Sequence, residues 1–79
     1  MSPTVFRERG HRFFFFSREE TRMHVHVSSA RGEAKFWLEP GVELSRSYRY
    51  SQRELKVLEI IVEEHRDELI SAWREYFLS

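Results

Sequence analysis

The first half of the chain alternates apolar and polar positions, as strands with two different faces do. His24-Val25-His26-Val27 is the clearest case. Two turn signals, Arg9-Gly10 and residues 29–32, separate such stretches. The pattern predicts a four-stranded antiparallel β-meander over residues 1–38. Its strands are expected at residues 4–8, 11–17, 23–28 and 33–38.

The second half of the chain follows a helical period. Ser51 and Glu54 form a capping-box pattern, and neither Gly nor Pro occurs from Gln52 to Leu78. Apolar residues recur there at spacings of three and four, which predicts one long amphipathic helix over residues 51–78. The apolar density is lowest near Glu64–Asp67, where a bend is expected.

Between the two halves, Pro40-Gly41 breaks the last predicted strand, and residues 39–50 are interpreted as an irregular crossing segment. The expected fold is therefore α+β. It is one domain over residues 1–79, in which the helix packs on one face of the sheet. A chain of 79 residues builds one small core near the lower limit of independent stability, so a partner or a dimer would help it.

Four consecutive Phe residues, 13–16, predict that both faces of the second strand are buried, because neighbouring side chains point to opposite faces. One pair, either 13 and 15 or 14 and 16, is expected beneath the helix with the aliphatic side chains of strands three and four. The other pair joins the polar and aromatic face. With Phe14 and Phe16 as that pair, the candidate interaction face comprises Phe14, Phe16, His24, His26, Lys35 and Trp37.

This aromatic and basic face allows three interpretations. It is favoured as an interface with a protein partner or a second copy, because Phe, Trp and His supply anchors in such interfaces. It would also serve as a stacking platform for single-stranded nucleic acid, although the net charge of zero argues against that. The third interpretation is an extension of the core that the 39–50 segment closes. Val57 and Ile60, which lie off the main helical stripe, indicate either a second contact or ordinary surface scatter.

His24 and His26 are the best candidates for chemistry, because strand geometry sets their imidazoles side by side. A metal would need a third ligand, for which His11, Glu33 and His65 lie at no diagnostic spacing, so no metal and no cofactor are predicted. A metal-independent ribonuclease is the alternative function. His24 and His26 would act as acid and base, and Arg7 and Arg12 would bind the phosphate.

The charge is unevenly distributed. Residues 1–36 carry a net +3 and residues 37–79 a net −3, a modest difference that two complementary faces of one domain explain. The absence of Cys excludes disulfides and thiol catalysis. No signal-peptide pattern and no run of about 20 apolar residues is present, which predicts a cytoplasmic protein without a membrane span.

A string of motifs resembles a family of very small bacterial proteins of unknown function. The motifs are residues 3–7, 12–17, 24–27, 34–40, 72–73 and 75–77. Members are often suspected of belonging to toxin–antitoxin-type modules, beside genes for another small family. The resemblance implies a fold and a gene context but no catalytic residue. It favours an interaction domain whose partner is a small protein encoded nearby or a second copy of the chain.

Overall fold

The computed structural model describes residues 4–16 and 22–78, with Leu78 described by its backbone alone. Within these ranges the chain has five strands followed by two helices, so the predicted α+β class is confirmed. The elements are β1 (Thr4–Glu8), β2 (His11–Phe14), β3 (His24–Ser29), β4 (Gly32–Trp37), β5 (Glu43–Tyr48), α1 (Gln52–Glu64) and α2 (Arg66–Leu78).

The strands form one antiparallel sheet in the order β1-β2-β3-β4-β5. Arg9 and Gly10 connect β1 to β2, and both have positive φ, at 54° and 81°. Two residues of this kind make the tight turn whose twist matches a hairpin. The predicted hairpin is therefore confirmed, but β2 ends at Phe14, and the last predicted strand residue, Ser17, lies outside the described residues.

The prediction of four strands was wrong, because residues 39–50 contain β5, which pairs with β4 along Glu33–Trp37. All six residues of β5 are exposed. A strand exposed on both faces has no apolar alternation, and that alternation is the signal from which strands are read. The segment that was predicted to be an irregular crossing therefore contains an edge strand.

The prediction of one long helix was also wrong, because α1 ends at Glu64 and α2 begins at Arg66. His65 between them has φ −105° and ψ 13°, outside the helical region. The break falls inside the stretch of low apolar density where a bend was expected. The capping box is present as predicted, since the Ser51 hydroxyl accepts from the Glu54 N–H and the Glu54 carboxylate from the Ser51 N–H.

The core lies between the sheet and the helices, and it resolves which Phe pair faces them. Phe13 and Phe15 are fully buried, and they belong to the same cluster as Val25, Phe36 and Leu58. Phe13 and Val27 lie opposite one another on β2 and β3. Phe14 and Phe16 therefore point to the other side of the sheet, beyond the reach of α1.

Candidate functional site

The sheet surface opposite α1 carries the candidate residues. The strand register places Phe14, His26, Lys35 and Arg46 in one row across four strands, since each lies opposite the next. Arg12 and Tyr48 flank this row on β2 and β5, and Trp37 follows Lys35 by two residues on β4. We call this surface, with Phe16, the groove face.

A shallow groove of about 180 Å³ runs over the groove face. Its lining includes Phe14, Phe16, His26, Lys35, Arg46 and Tyr48. Phe16 and Tyr48 are the accessible rings, with exposed fractions of 44% and 65%. Four of the six predicted interaction residues thus line one groove, and the three that β5 adds, Arg46, Ser47 and Tyr48, come from the segment predicted to be irregular.

Cations sit on the other aromatic rings of this face. The Arg12 guanidinium lies 4.3 Å from the centre of the Phe14 ring. Two cations lie over the Trp37 ring. The Arg22 guanidinium is 4.2 Å and the Lys35 ammonium 4.6 Å from its ring centre. Lys35 is only 4% exposed, so its aliphatic stem is buried, and its ammonium lies against the indole of Trp37. Such contacts stabilise the face and leave these rings less available for stacking on a base.

His24 lies outside the groove and is completely buried. Its ring centre lies 5.7 Å from that of Trp37 and 5.0 Å from that of Trp73 on α2. Its Nδ1 lies 2.7 Å from the carbonyl oxygen of Arg22, and since a carbonyl only accepts, Nδ1 carries the proton. In this arrangement His24 contacts no solvent, and a bound substrate would not reach it.

His26 is the histidine that borders the groove. Its ring stacks on Phe14 and meets Phe16 edge-on at 4.4 Å between ring centres. The ring centres of His24 and His26 lie 5.1 Å apart, as neighbouring same-face positions on a strand require. Across residues 4–16 and 22–78, no group of three His, Asp or Glu side chains is placed to hold a metal ion. The remaining basic candidate, Arg7, lies opposite Arg12 on β1.

A partly buried polar cluster at the other end of the sheet was not predicted. The Tyr50 hydroxyl lies 2.9 Å from His11 Nδ1 and 2.8 Å from the Ser29 hydroxyl. Burial lowers the pKa of His11 and raises the pKa of Tyr50. Both groups are therefore neutral at pH 7, and the cluster ties the chain entering α1 to β2 and β3. The sequence holds no spacing signal for it, because its members are 21 and 39 residues apart.

His65 connects the helix junction to the sheet. Its Nδ1 donates to the Glu68 carboxylate at 2.8 Å, its Nε2 to the Glu8 carboxylate at 3.1 Å, and its ring stacks on Phe6. Both ring nitrogens carry protons only in the imidazolium. The hydrogen bond to Glu68, helped by that to Glu8, accordingly raises the pKa of His65.

This arrangement predicts how stability depends on pH. Because the pKa of His65 is raised in the folded chain, its stabilising contribution is complete below the unfolded value of about 6.5. It is lost as pH rises through the folded pKa. We expect the difference in free energy of unfolding between the native chain and His65→Gln to be largest near pH 6 and to shrink toward pH 8, as measured by urea unfolding.

His11→Gln is the matched control, because burial lowers the pKa of His11. Its neutral form is favoured in the folded chain, so its contribution is present above about pH 6.5 and is lost on acidification. The two variants should therefore diverge from the native chain in opposite pH directions. Parallel pH profiles for both would contradict the assignment of charge to His65.

The comparison with known protein families concerns most of the chain and not the groove alone. The sequence model of a family described as a domain of unknown function (DUF4160) matches residues 10–74. The chain belongs to this family. Neither a curated protein nor a solved structure matches it.

Membership in the DUF4160 family supports the resemblance drawn from the sequence and assigns no activity. The match extends from the β1–β2 turn into α2, so it covers all the groove residues. Among the described residues, no helix has the length and apolar character needed to cross a bilayer. The geometry of the groove face is therefore the basis on which a function is proposed.

Proposed function

We propose that this chain is a small protein-interaction domain, one component of a two-protein module of the toxin–antitoxin type, and that the groove face binds the partner protein. The observation that carries the proposal is the groove itself. It brings two exposed aromatic rings, Phe16 and Tyr48, together with two cations, Lys35 and Arg46, on the side of the sheet that α1 does not cover.

Aromatic residues and Arg dominate the binding energy of protein interfaces, where they form central anchors. Phe16, which follows the end of β2, and Tyr48 on β5 border the groove, while Phe14 and His26 form its floor between them. A side chain from a partner would be enclosed by rings in this position. Exposed rings around a concave floor are typical of such a contact.

Charge indicates what kind of partner fits. Lys35 and Arg46 line the groove with Glu33 as the acidic residue, and Arg12 lies beside it over Phe14. Since Lys35 is 4% exposed and its ammonium lies over Trp37, the accessible positive charge of the groove is that of Arg46, and it favours a partner segment that carries Asp or Glu next to an apolar side chain. A second small protein encoded beside this one is the expected source, and a second copy of the chain is the other candidate for the same face.

The RNA interpretation fits the face less well. Acid–base catalysis by His24 and His26 requires both imidazoles to approach the reacting phosphate. His24 is fully enclosed by Trp37, Trp73 and His26, and the Trp37 ring already carries two cations. Cations cover the Phe14 and Trp37 rings, which leaves Phe16 and Tyr48 as the accessible rings for stacking on a base.

Co-expression with the product of the adjacent gene tests the proposal. We expect a stable complex, and we expect Phe16→Ala and Tyr48→Ala each to weaken it at least about tenfold, measured by calorimetry. Ile60→Ala is the control, because it truncates an exposed apolar side chain on α1, away from the groove. Unchanged affinity in both groove variants would refute the proposal, and RNA binding lost in those variants would favour the nucleic-acid interpretation.

A further inference from the structure

The outer edge of β5 is a second surface that the fold leaves exposed. β5 is the last strand of the sheet, and none of its six residues is buried. At the opposite edge, β1 has three of its five residues partly covered. A strand edge presents a row of backbone N–H and C=O groups to which another strand can add. β5 contains no Pro, and its two charged residues, Glu43 and Arg46, have opposite signs.

We propose that two copies of this chain pair β5 with β5, antiparallel across a two-fold axis, into one continuous sheet. The proposal concerns the strand edge and does not depend on the partner bound by the groove face. A strand paired with its own copy makes a closed contact, so it yields a dimer rather than a fibre.

The faces of β5 define the register of this pairing. Glu43, Arg46 and Tyr48 lie opposite Trp37, Lys35 and Glu33 and share the groove face. Leu44 and Ser47 lie opposite Phe36 and Ala34 and share the helix face. The β4–β5 register passes directly from Arg46 to Leu44, so Ser45 is the bulged residue.

Side chains opposite one another in a sheet must share a face. When all six residues of β5 pair with their own copy, Glu43 lies opposite Tyr48 and Leu44 opposite Ser47. Both pairs meet the condition. The two bulged Ser45 residues then lie beside the two-fold axis, each opposite Arg46 of the other copy. Both strands therefore interrupt the alternation of side-chain faces at the same place.

Charge complementarity supports this register. Glu43 of one copy becomes the diagonal neighbour of Arg46 of the other, within reach of a long side chain, and the symmetry makes this contact twice. The pairing also covers Leu44 and Tyr48, which have exposed fractions of 39% and 65%. Because Tyr48 and Arg46 also line the groove, the two grooves of the dimer would meet at the axis.

Sedimentation equilibrium of the full chain, from about 1 µM to about 1 mM, tests the proposal. A six-residue strand pair is a small interface, so we expect a mass that rises with concentration from 9.7 kDa toward twice that value. Glu43→Arg and Arg46→Glu each place like charges across the axis, and we expect each to weaken self-association roughly tenfold. Mixing the two variants restores both opposite-charge contacts and should restore the dimer as a heterodimer.

The mixing result distinguishes a direct contact between Glu43 and Arg46 of different copies from an indirect effect. If a substitution weakened the dimer by disturbing its own chain, mixing with the other variant would not restore the dimer. A chain that stays at 9.7 kDa throughout the range would overturn the proposal. So would a dimer that Phe16→Ala weakens and the two charge variants do not, since that dimer would use the groove face. A native chain that self-associates as described but forms no complex with the product of the adjacent gene would refute the proposed function alone.

Discussion

Gly32→Ala is expected to lower the free energy of unfolding by about 3 kcal/mol and to displace β5 from β4. A Cβ at Gly32 would lie far inside van der Waals distance of the Tyr48 carbonyl oxygen and 3.2 Å from atoms of Arg49. These are mostly backbone atoms at the end of β5, so no side-chain rotation relieves the clash. The strand itself has to move.

Gly41→Ala is the matched control, because a Cβ at Gly41 has no neighbour within 4 Å. Urea unfolding should show a loss for Gly32→Ala and a change below about 0.5 kcal/mol for Gly41→Ala. Amide hydrogen exchange should also speed up along β5 in the first variant alone. Equal stability of the two variants would mean that β5 does not lie against Gly32.

The displacement of β5 has a functional consequence. Arg46 and Tyr48 reach the groove only because β5 pairs with β4, and a Cβ at Gly32 would meet the Tyr48 carbonyl oxygen, so Gly32→Ala should also weaken partner binding. This connects a backbone position to the proposed contact surface. The groove depends on the pairing of β5 with β4, whereas the core beneath α1 does not.

Strands whose two faces carry different kinds of side chain could be predicted, because successive side chains of a strand point to opposite faces. Val25 and Val27 face the core while His24 and His26 face away, and this alternation is visible in the sequence. β5 imposes no such period, because neither of its faces is covered. The same reason explains why Arg46 and Tyr48 were missing from the predicted site.

The burial of His24 could not be predicted for a different reason. Strand periodicity places His24 correctly on the face opposite α1, but periodicity says nothing about what else reaches that face. Trp73 of α2 contacts both Phe15, which lies on the core side of the sheet, and His24, which lies on the other side. The candidate acid–base pair depended on an accessible His24, whereas its ring is buried against Trp37 and Trp73.

Trp73→Ala is therefore expected to have the largest effect of any single substitution, a loss of about 3–5 kcal/mol in the free energy of unfolding. Trp73 is 4% exposed and packs against Phe15, His24 and Phe77, with ring centres 4.2–5.4 Å away. Domains of this size have about 5–10 kcal/mol of stability in total, so the variant would retain little of it. We expect α2 to detach first, because Trp73 contacts rings on both faces of the sheet end.

Tyr76→Ala tests the specificity of this effect, since Tyr76 is an aromatic residue on the same helix with 41% of its surface exposed. Urea unfolding should show a loss below about 1.5 kcal/mol for this control. Hydrogen exchange should show α2 open and α1 protected in Trp73→Ala, together with a His24 ring that becomes accessible to solvent. If both helices instead open together, α2 forms one cooperative unit with the core, and the burial of His24 is maintained by the whole fold rather than by Trp73.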